Sequence, residues 1–169
     1  MEIILGRTAG FCYGVKNAVS NAEEKLKEYK NLYCLGELVH NGQVVKKLEN
    51  LGLKVIEKLE SPDNKVIIRA HGIAKEIYNK AKQMDIELLD FTCPKVLKIH
   101  DIAQEYSNNG YYIFLIGGKK HPETIGTISF CGENSYIIEE EKQIMEGINL
   151  LKKSNIKKFS RKELTIDNI

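Results

Sequence analysis

Short runs of β-branched and aliphatic residues alternate along the chain with segments whose apolar positions recur every three or four residues. Ile3-Ile4-Leu5 reads as a first strand, followed by a glycine-bearing loop and a helix over Val15 to Tyr29. Leu32 to Leu35 reads as a strand and Gly42 to Leu51 as a helix, with Val44, Val45, Leu48 and Leu51 at helical spacing and Gly52 as its stop. Strands at Val55-Ile56 and Val66-Ile67-Ile68, a helix over Ala74 to Met84, a strand at Leu88-Leu89 and a proline-opened helix over Pro94 to Tyr106 continue the pattern. Tyr111 to Ile116 is the most strand-like run. Pro122 to Phe130 follows as a short helix, Tyr136-Ile137-Ile138 as a strand and Glu140 to Leu151 as a charged helix with an apolar stripe. This rhythm implies an α/β protein with parallel sheets covered by helices. The Thr92-Cys93-Pro94 turn falls between two α/β runs, so two consecutive lobes are expected, at 1–92 and 93–169.

Composition narrows the class. With 169 residues and 43% hydrophobic content the chain can bury a core, which excludes a disordered tail. Lys and Arg total 25 against 23 Asp and Glu, and the net charge of +2 gives no global pull toward nucleic acid or an anionic membrane. The longest apolar stretch, Tyr111 to Ile116, is too short to span a bilayer, and Met1-Glu2-Ile3 lacks the basic start of a signal peptide, so a cytoplasmic protein is expected. Cys12, Cys34, Cys93 and Cys131 form no Cys-x-x-Cys pair. In a reducing compartment, a cysteine that matters here acts as a thiolate rather than in a disulfide.

The candidate chemistry is positional. Cys12, His40, His71, Cys93 and His121 each fall after an expected strand and before an expected helix, which places all five at one edge of the sheets. There, loops converge and helix N-termini present free N–H groups and partial positive charge, a setting that suits an anion such as a diphosphate. Any one of these histidines alone is more often structural; three on one edge favour function. On its local sequence Cys12 could equally be a small buried residue in a tight turn; the flanking Gly10 and Gly14, which permit positive φ and close backbone approach, tilt the reading toward a loop that wraps a ligand. Cys93 opens a helix, where the dipole favours a thiolate. Cys34, inside a strand, and Cys131, after an apolar segment, read as packing residues, as does His100 in mid-helix. Glu123 is either a solvated first-turn carboxylate or, beside His121, part of a proton-delivery unit. The cysteine and histidine spacing lacks the short ligand pairs of common zinc modules.

Five motifs, in order, carry a resemblance: Gly10-Phe11-Cys12-Tyr13-Gly14-Val15, Leu38-Val39-His40-Asn41, Arg69-Ala70-His71-Gly72, Asp90-Phe91-Thr92-Cys93-Pro94 with Lys98-Ile99-His100, and Gly117 through His121-Pro122-Glu123. Together they resemble the 4-hydroxy-3-methylbut-2-enyl diphosphate reductases (the LytB/IspH family), from residue 1 to about Ile138 and over little more than the family's first half. The resemblance implies a trefoil-like arrangement of three α/β lobes around a 4Fe-4S cluster, of which this chain holds two. It implies Cys12 and Cys93 as cluster ligands, His40, His71 and His121 as substrate-binding residues, and Glu123 as the catalytic proton carrier. It further implies an allylic diphosphate substrate, reductive removal of its hydroxyl as the last step of the non-mevalonate isoprenoid route, and a ferredoxin or flavodoxin as electron donor.

Some positions depart from the family pattern. Neither Cys34 nor Cys131 matches the third cluster cysteine, and no residue matches the serine and asparagine that complete the family's diphosphate pocket. A Ser-Gln-Thr-Thr motif is expected near Ser160-Arg161-Lys162-Glu163, where only the serine agrees and Lys162 replaces the substrate-site threonine, within a basic run from Lys152. Three readings stay open: an amino-terminal portion of the reductase, a non-catalytic relic or binding module without a stable cluster, and a homodimer sharing a cluster between chains.

Overall fold

In a computed structural model that describes residues 3–4, 6, 9–59, 65–154 and 156, the alternation of the sequence becomes two parallel sheets with helical crossovers. The chain runs α1 (Tyr13–Glu28), β1 (Leu32–Leu35), α2 (Gly42–Asn50), β2 (Leu53–Ile56), β3 (Lys65–Ile68), α3 (Lys75–Gln83), β4 (Glu87–Asp90), α4 (Pro94–Asn108), β5 (Ile113–Ile116), α5 (Pro122–Ile128), β6 (Ser135–Ile138), a 3-10 turn (Glu141–Gln143) and α6 (Ile144–Lys153). One sheet has the order β2-β1-β3-β4 and the other pairs β5 with β6, all strands parallel.

Burial explains the order. β3 alternates between two apolar layers: Ile67 packs with Ala18, Ala22, Leu26 and Leu48 of α1 and α2, while Val66 packs with Ala81 and Ile86 around α3. A strand covered on both faces needs apolar residues throughout, and Val66, Ile67 and Ile68 are all fully buried. The α1 stripe of Gly14, Ala18, Ala22 and Leu26 recurs every fourth residue, and its small side chains let the helix lie close to the sheet. Gly52 follows α2 at φ +109° and packs against the Lys30 carbonyl, a position that only glycine occupies without strain.

Four expectations change. Ile3 and Ile4 are exposed and form no strand, although β2 and β4 each keep an open edge, and Leu5 lies outside the described residues. The strand expected from Tyr111 starts at Ile113, because β6 supplies only four pairing partners, and Ile116 is left 80% exposed. The last helix begins at Ile144 rather than Glu140. A capping box between Glu140 and Gln143 first closes a 3-10 turn, which satisfies the N–H groups that a continuous helix would leave free. α1 begins two residues early, at Tyr13, so that Cys12 becomes its N-cap. Residues from 157 onward, Ser160 and Lys162 included, lie outside the described residues. Among the described residues no helix is long and apolar enough to cross a membrane.

Candidate functional site

From β1 the chain moves outward to β2 and then crosses back to β3 on β1's other side. The loops leaving β1 and β3 therefore separate at a topological switch point, where a parallel sheet opens a crevice at its carboxyl edge. His40 lies in the first loop and His71 in the second. The loops are tied by a hydrogen bond from the Ala70 N–H to the Leu38 carbonyl (3.2 Å), and the imidazole centroids stand 4.2 Å apart.

His121 reaches the same place from the second sheet. Its ring centroid is 5.9 Å from His40 and 6.2 Å from His71. It is the N-cap of α5, and its Nδ1 accepts the Glu123 backbone N–H at 3.3 Å. An Nδ1 that accepts carries no proton, so the neutral ring keeps its hydrogen on Nε2, the nitrogen left free to donate. The loop before it is held by Glu139, whose Oε1 accepts the Lys119 N–H at 3.1 Å. Glu123 is half-buried, and burial pushes its carboxyl above the usual range against the opposing pull of His121.

Burial, and then the charges of His40, Arg69 and His121, push His71 down to about 4. Its Nδ1 is buried without a hydrogen-bond partner among the described residues, as is the Nε of Arg69. The Arg69 guanidinium lies across Gly36, where φ is +75° and an added Cβ would meet Nη1 at 2.6 Å. A His71 held neutral and a guanidinium with an unspent donor, beside His40 and His121, form a site that gains from an anion. Among the described residues no group of three His, Cys, Asp or Glu side chains is arranged to hold an ion.

The two helix-opening cysteines lie on neighbouring elements. Cys12 caps α1 and is exposed; Cys93 caps α4, is half-buried and presses its Sγ onto Gly14, where an added Cβ would sit 2.5 Å away. The Cys93 N–H donates to the Ala70 carbonyl at 2.9 Å, which links this thiol to the His71 loop. Two thiols at two helix N-termini, one cradled on a glycine, fit two positions of a thiolate-held iron-sulfur centre. Cys34 and Cys131 are fully buried elsewhere: burial pushes their thiols up to about 12 and about 11, and Cys131 Sγ bonds the Thr127 carbonyl at 3.4 Å. His100 is core, stacked on Phe130 at 4.4 Å.

Arg69 was not singled out by sequence as a site residue; its signal was an arginine at the end of the most apolar strand of the first sheet, two residues before His71.

Comparison with known proteins identifies the family and the fold. The family model described as LytB protein matches residues 3–166. The 4-hydroxy-3-methylbut-2-enyl diphosphate reductase of Caldanaerobacter subterraneus subsp. tengcongensis is 45% identical over 144 residues, 82% of this chain and 50% of the relative. That of Clostridioides difficile is 44% identical over 151 residues, 88% of this chain and 54% of the relative. Among solved structures, (E)-4-hydroxy-3-methyl-but-2-enyl diphosphate reductase, described as the terminal enzyme of the non-mevalonate pathway, superposes with a TM-score of 0.74 at 37% identity, covering 87% of this chain and 54% of that one. The Plasmodium falciparum E-1-hydroxy-2-methyl-but-2-enyl-4-diphosphate reductase gives 0.77 at 38% identity, covering 89% and 46%. The chain spans about half the length of the curated relatives it matches.

Proposed function

This chain belongs to the LytB protein family, and from that premise we propose that it carries the diphosphate-binding and proton-delivering part of a 4-hydroxy-3-methylbut-2-enyl diphosphate reductase. The observation that carries the reading is the convergence of His40, His71 and His121, from three separate loops, with ring centroids 4.2 to 6.2 Å apart at the carboxyl edge of the sheets. Their N–H groups, with Arg69 behind them, meet the diphosphate oxygens, and the anion offsets the burial and the neighbouring charges that hold His71 neutral.

Net conversion breaks the allylic C–O bond, takes up two electrons and two protons and releases water, giving isopentenyl and dimethylallyl diphosphate. Glu123 stays protonated more readily than an exposed carboxyl and sits beside His121, so it delivers a proton to the departing hydroxyl. Cys12 and Cys93 hold two positions of a 4Fe-4S cluster, which when bound supplies the reducing power, drawn from a ferredoxin- or flavodoxin-type donor. Reduction in the cytoplasm, with no nucleic acid or membrane partner, completes the proposal.

Calorimetric titration of the chain with inorganic diphosphate tests it. Binding that His40→Ala, His71→Ala and His121→Ala each weaken about tenfold or more supports the site; no binding by the parent chain refutes it. A binding module without a stable cluster is the second reading, favoured by the burial of Cys34 and Cys131 away from the other two thiols. Anaerobic iron and sulfide analysis separates the two.

A further inference from the structure

We propose that Asp90 is a positioning residue for Cys93, acting through Thr92 and tied by Tyr78 to α3. Asp90 ends β4, and its carboxylate accepts three hydrogen bonds. Oδ1 takes the Thr92 backbone N–H at 2.9 Å and the Thr92 hydroxyl at 2.5 Å, and Oδ2 takes the Tyr78 hydroxyl at 2.8 Å. Hydrogen bonds to an ionised acceptor are about twice as strong as neutral ones. Burial, together with the Asp90 carboxylate, keeps the Tyr78 phenol above its usual range, so it remains a donor.

Each step from Asp90 to the thiol is fixed. Phe91 N–H donates to the Ile68 carbonyl at 3.0 Å and Cys93 N–H to the Ala70 carbonyl at 2.9 Å, so the backbone on both sides of Thr92 is pinned to the end of β3. Thr92 itself is buried, with its methyl group 3.2 Å from where a Cβ on Gly72 would stand. The residue directly before Cys93 therefore has its N–H and hydroxyl held by one carboxylate and its methyl held by the His71-Gly72 loop. Cys93 Sγ is placed against Gly14 as a result. The same clamp couples the proposed cluster side of the site to the proposed diphosphate side.

This inference rests on reading Cys93 as a cluster ligand, but its test does not need the cluster. Alkylation by iodoacetamide, resolved for each cysteine by peptide mass spectrometry, reads the four thiols of the chain separately. In Asp90→Ala, Cys93 should react about tenfold faster, while Cys12 stays within about twofold and Cys34 and Cys131 stay protected. Asp90→Asn keeps an acceptor oxygen for Thr92 and should fall between the two. A Cys93 rate unchanged in a folded Asp90→Ala chain overturns the proposal. So does a rise shared with Cys34 and Cys131, which reports loosening of the whole core. If Asp90→Ala does not fold, Thr92→Val, which removes the hydroxyl bond to Asp90 Oδ1, decides: a faster Cys93 alone supports the clamp and an unchanged one overturns it. Iron and sulfide analysis tests the ligand role separately, so failure of that reading is distinguishable from failure of the clamp.

Discussion

Gly14→Ala sets two effects of known size against each other at one position. Gly14 lies buried in the first turn of α1. On helix propensity alone alanine is favoured by up to about 1 kcal/mol, and by less in a first turn. Packing opposes it, because the new Cβ would stand 2.5 Å from Cys93 Sγ and 3.0 Å from Cys93 Cβ. Non-bonded heavy atoms settle at about 3.5–4 Å, so the sulfur contact must open by roughly 1 Å or more. Turning the Cys93 side chain relieves the sulfur but not the Cβ, which moves only with the start of α4. Overpacking of this kind costs about 1–3 kcal/mol, so packing wins by about 1 kcal/mol. Urea unfolding followed by far-ultraviolet circular dichroism should show the midpoint lowered by about 0.5 M at unchanged slope. Cys93 alkylation should speed up in parallel. A variant more stable than its parent, with Cys93 reacting at the parental rate, would refute the packing of Cys93 on Gly14.

Three further outcomes follow from the site. His121→Ala removes the N-cap acceptor of α5 and should cost about 0.5–1 kcal/mol, while His121→Asn restores an acceptor and most of that stability; thermal melts of the two variants check this. His71 binds its proton in the unfolded chain near 6.5 but in the folded chain only near 4, under the influence of burial, His40, Arg69 and His121. Its contribution to stability is therefore present in full above 6.5 and is lost as pH falls toward about 4. A depression of this size carries about 3 kcal/mol if fully expressed, which screening of a half-exposed ring reduces to about 1 kcal/mol. Urea midpoints measured across that window should flatten in His71→Gln, and an unchanged slope would count against the cluster. Glu123→Gln should leave the melting temperature nearly unchanged and lower the proposed turnover of the iron-loaded protein at least about 100-fold; undiminished turnover would remove Glu123 from proton delivery.

Much of this architecture was legible because buried parallel strands are apolar without interruption. β1 has the bounds read from the sequence, and β2, β3, β4 and β6 extend their apolar cores by one or two residues. Ile3-Ile4 carries the same apolar signal without the same outcome, since apolarity marks a segment fit for a sheet but does not supply the strand it must pair with. The Asp90 clamp was hidden for a related reason. Asp90 and Tyr78 are ordinary residues for a strand end and a helix surface, and their partnership exists only once α3 has packed beside β4. Arg69 likewise gained meaning only when Gly36, on the neighbouring loop, left room for its guanidinium.

That His40 and His71 share one crevice, rather than merely one edge, depends on strand order, and the order follows from burial. β1 and β3 bury at least every second residue, whereas β2 and β4 leave residues exposed, so the first pair belongs inside the sheet and the second at its edges. With β1 and β3 adjacent, and α2 and α3 diverging to opposite sides, the loops that carry the two histidines must open against each other. The third histidine arrives by a different route. Ser129, at the end of α5, accepts the Lys75 N–H at the start of α3 at 2.8 Å, which fastens the second sheet's helix to the first sheet's loop and brings His121 to within 6.2 Å of both other rings. Ser129→Ala removes that fastening while α5 still packs on α4 through His100, so diphosphate affinity should fall part of the way toward that of His121→Ala while the Gly14 and Cys93 contact survives. An affinity unchanged from the parent would show that the α4 packing alone places His121.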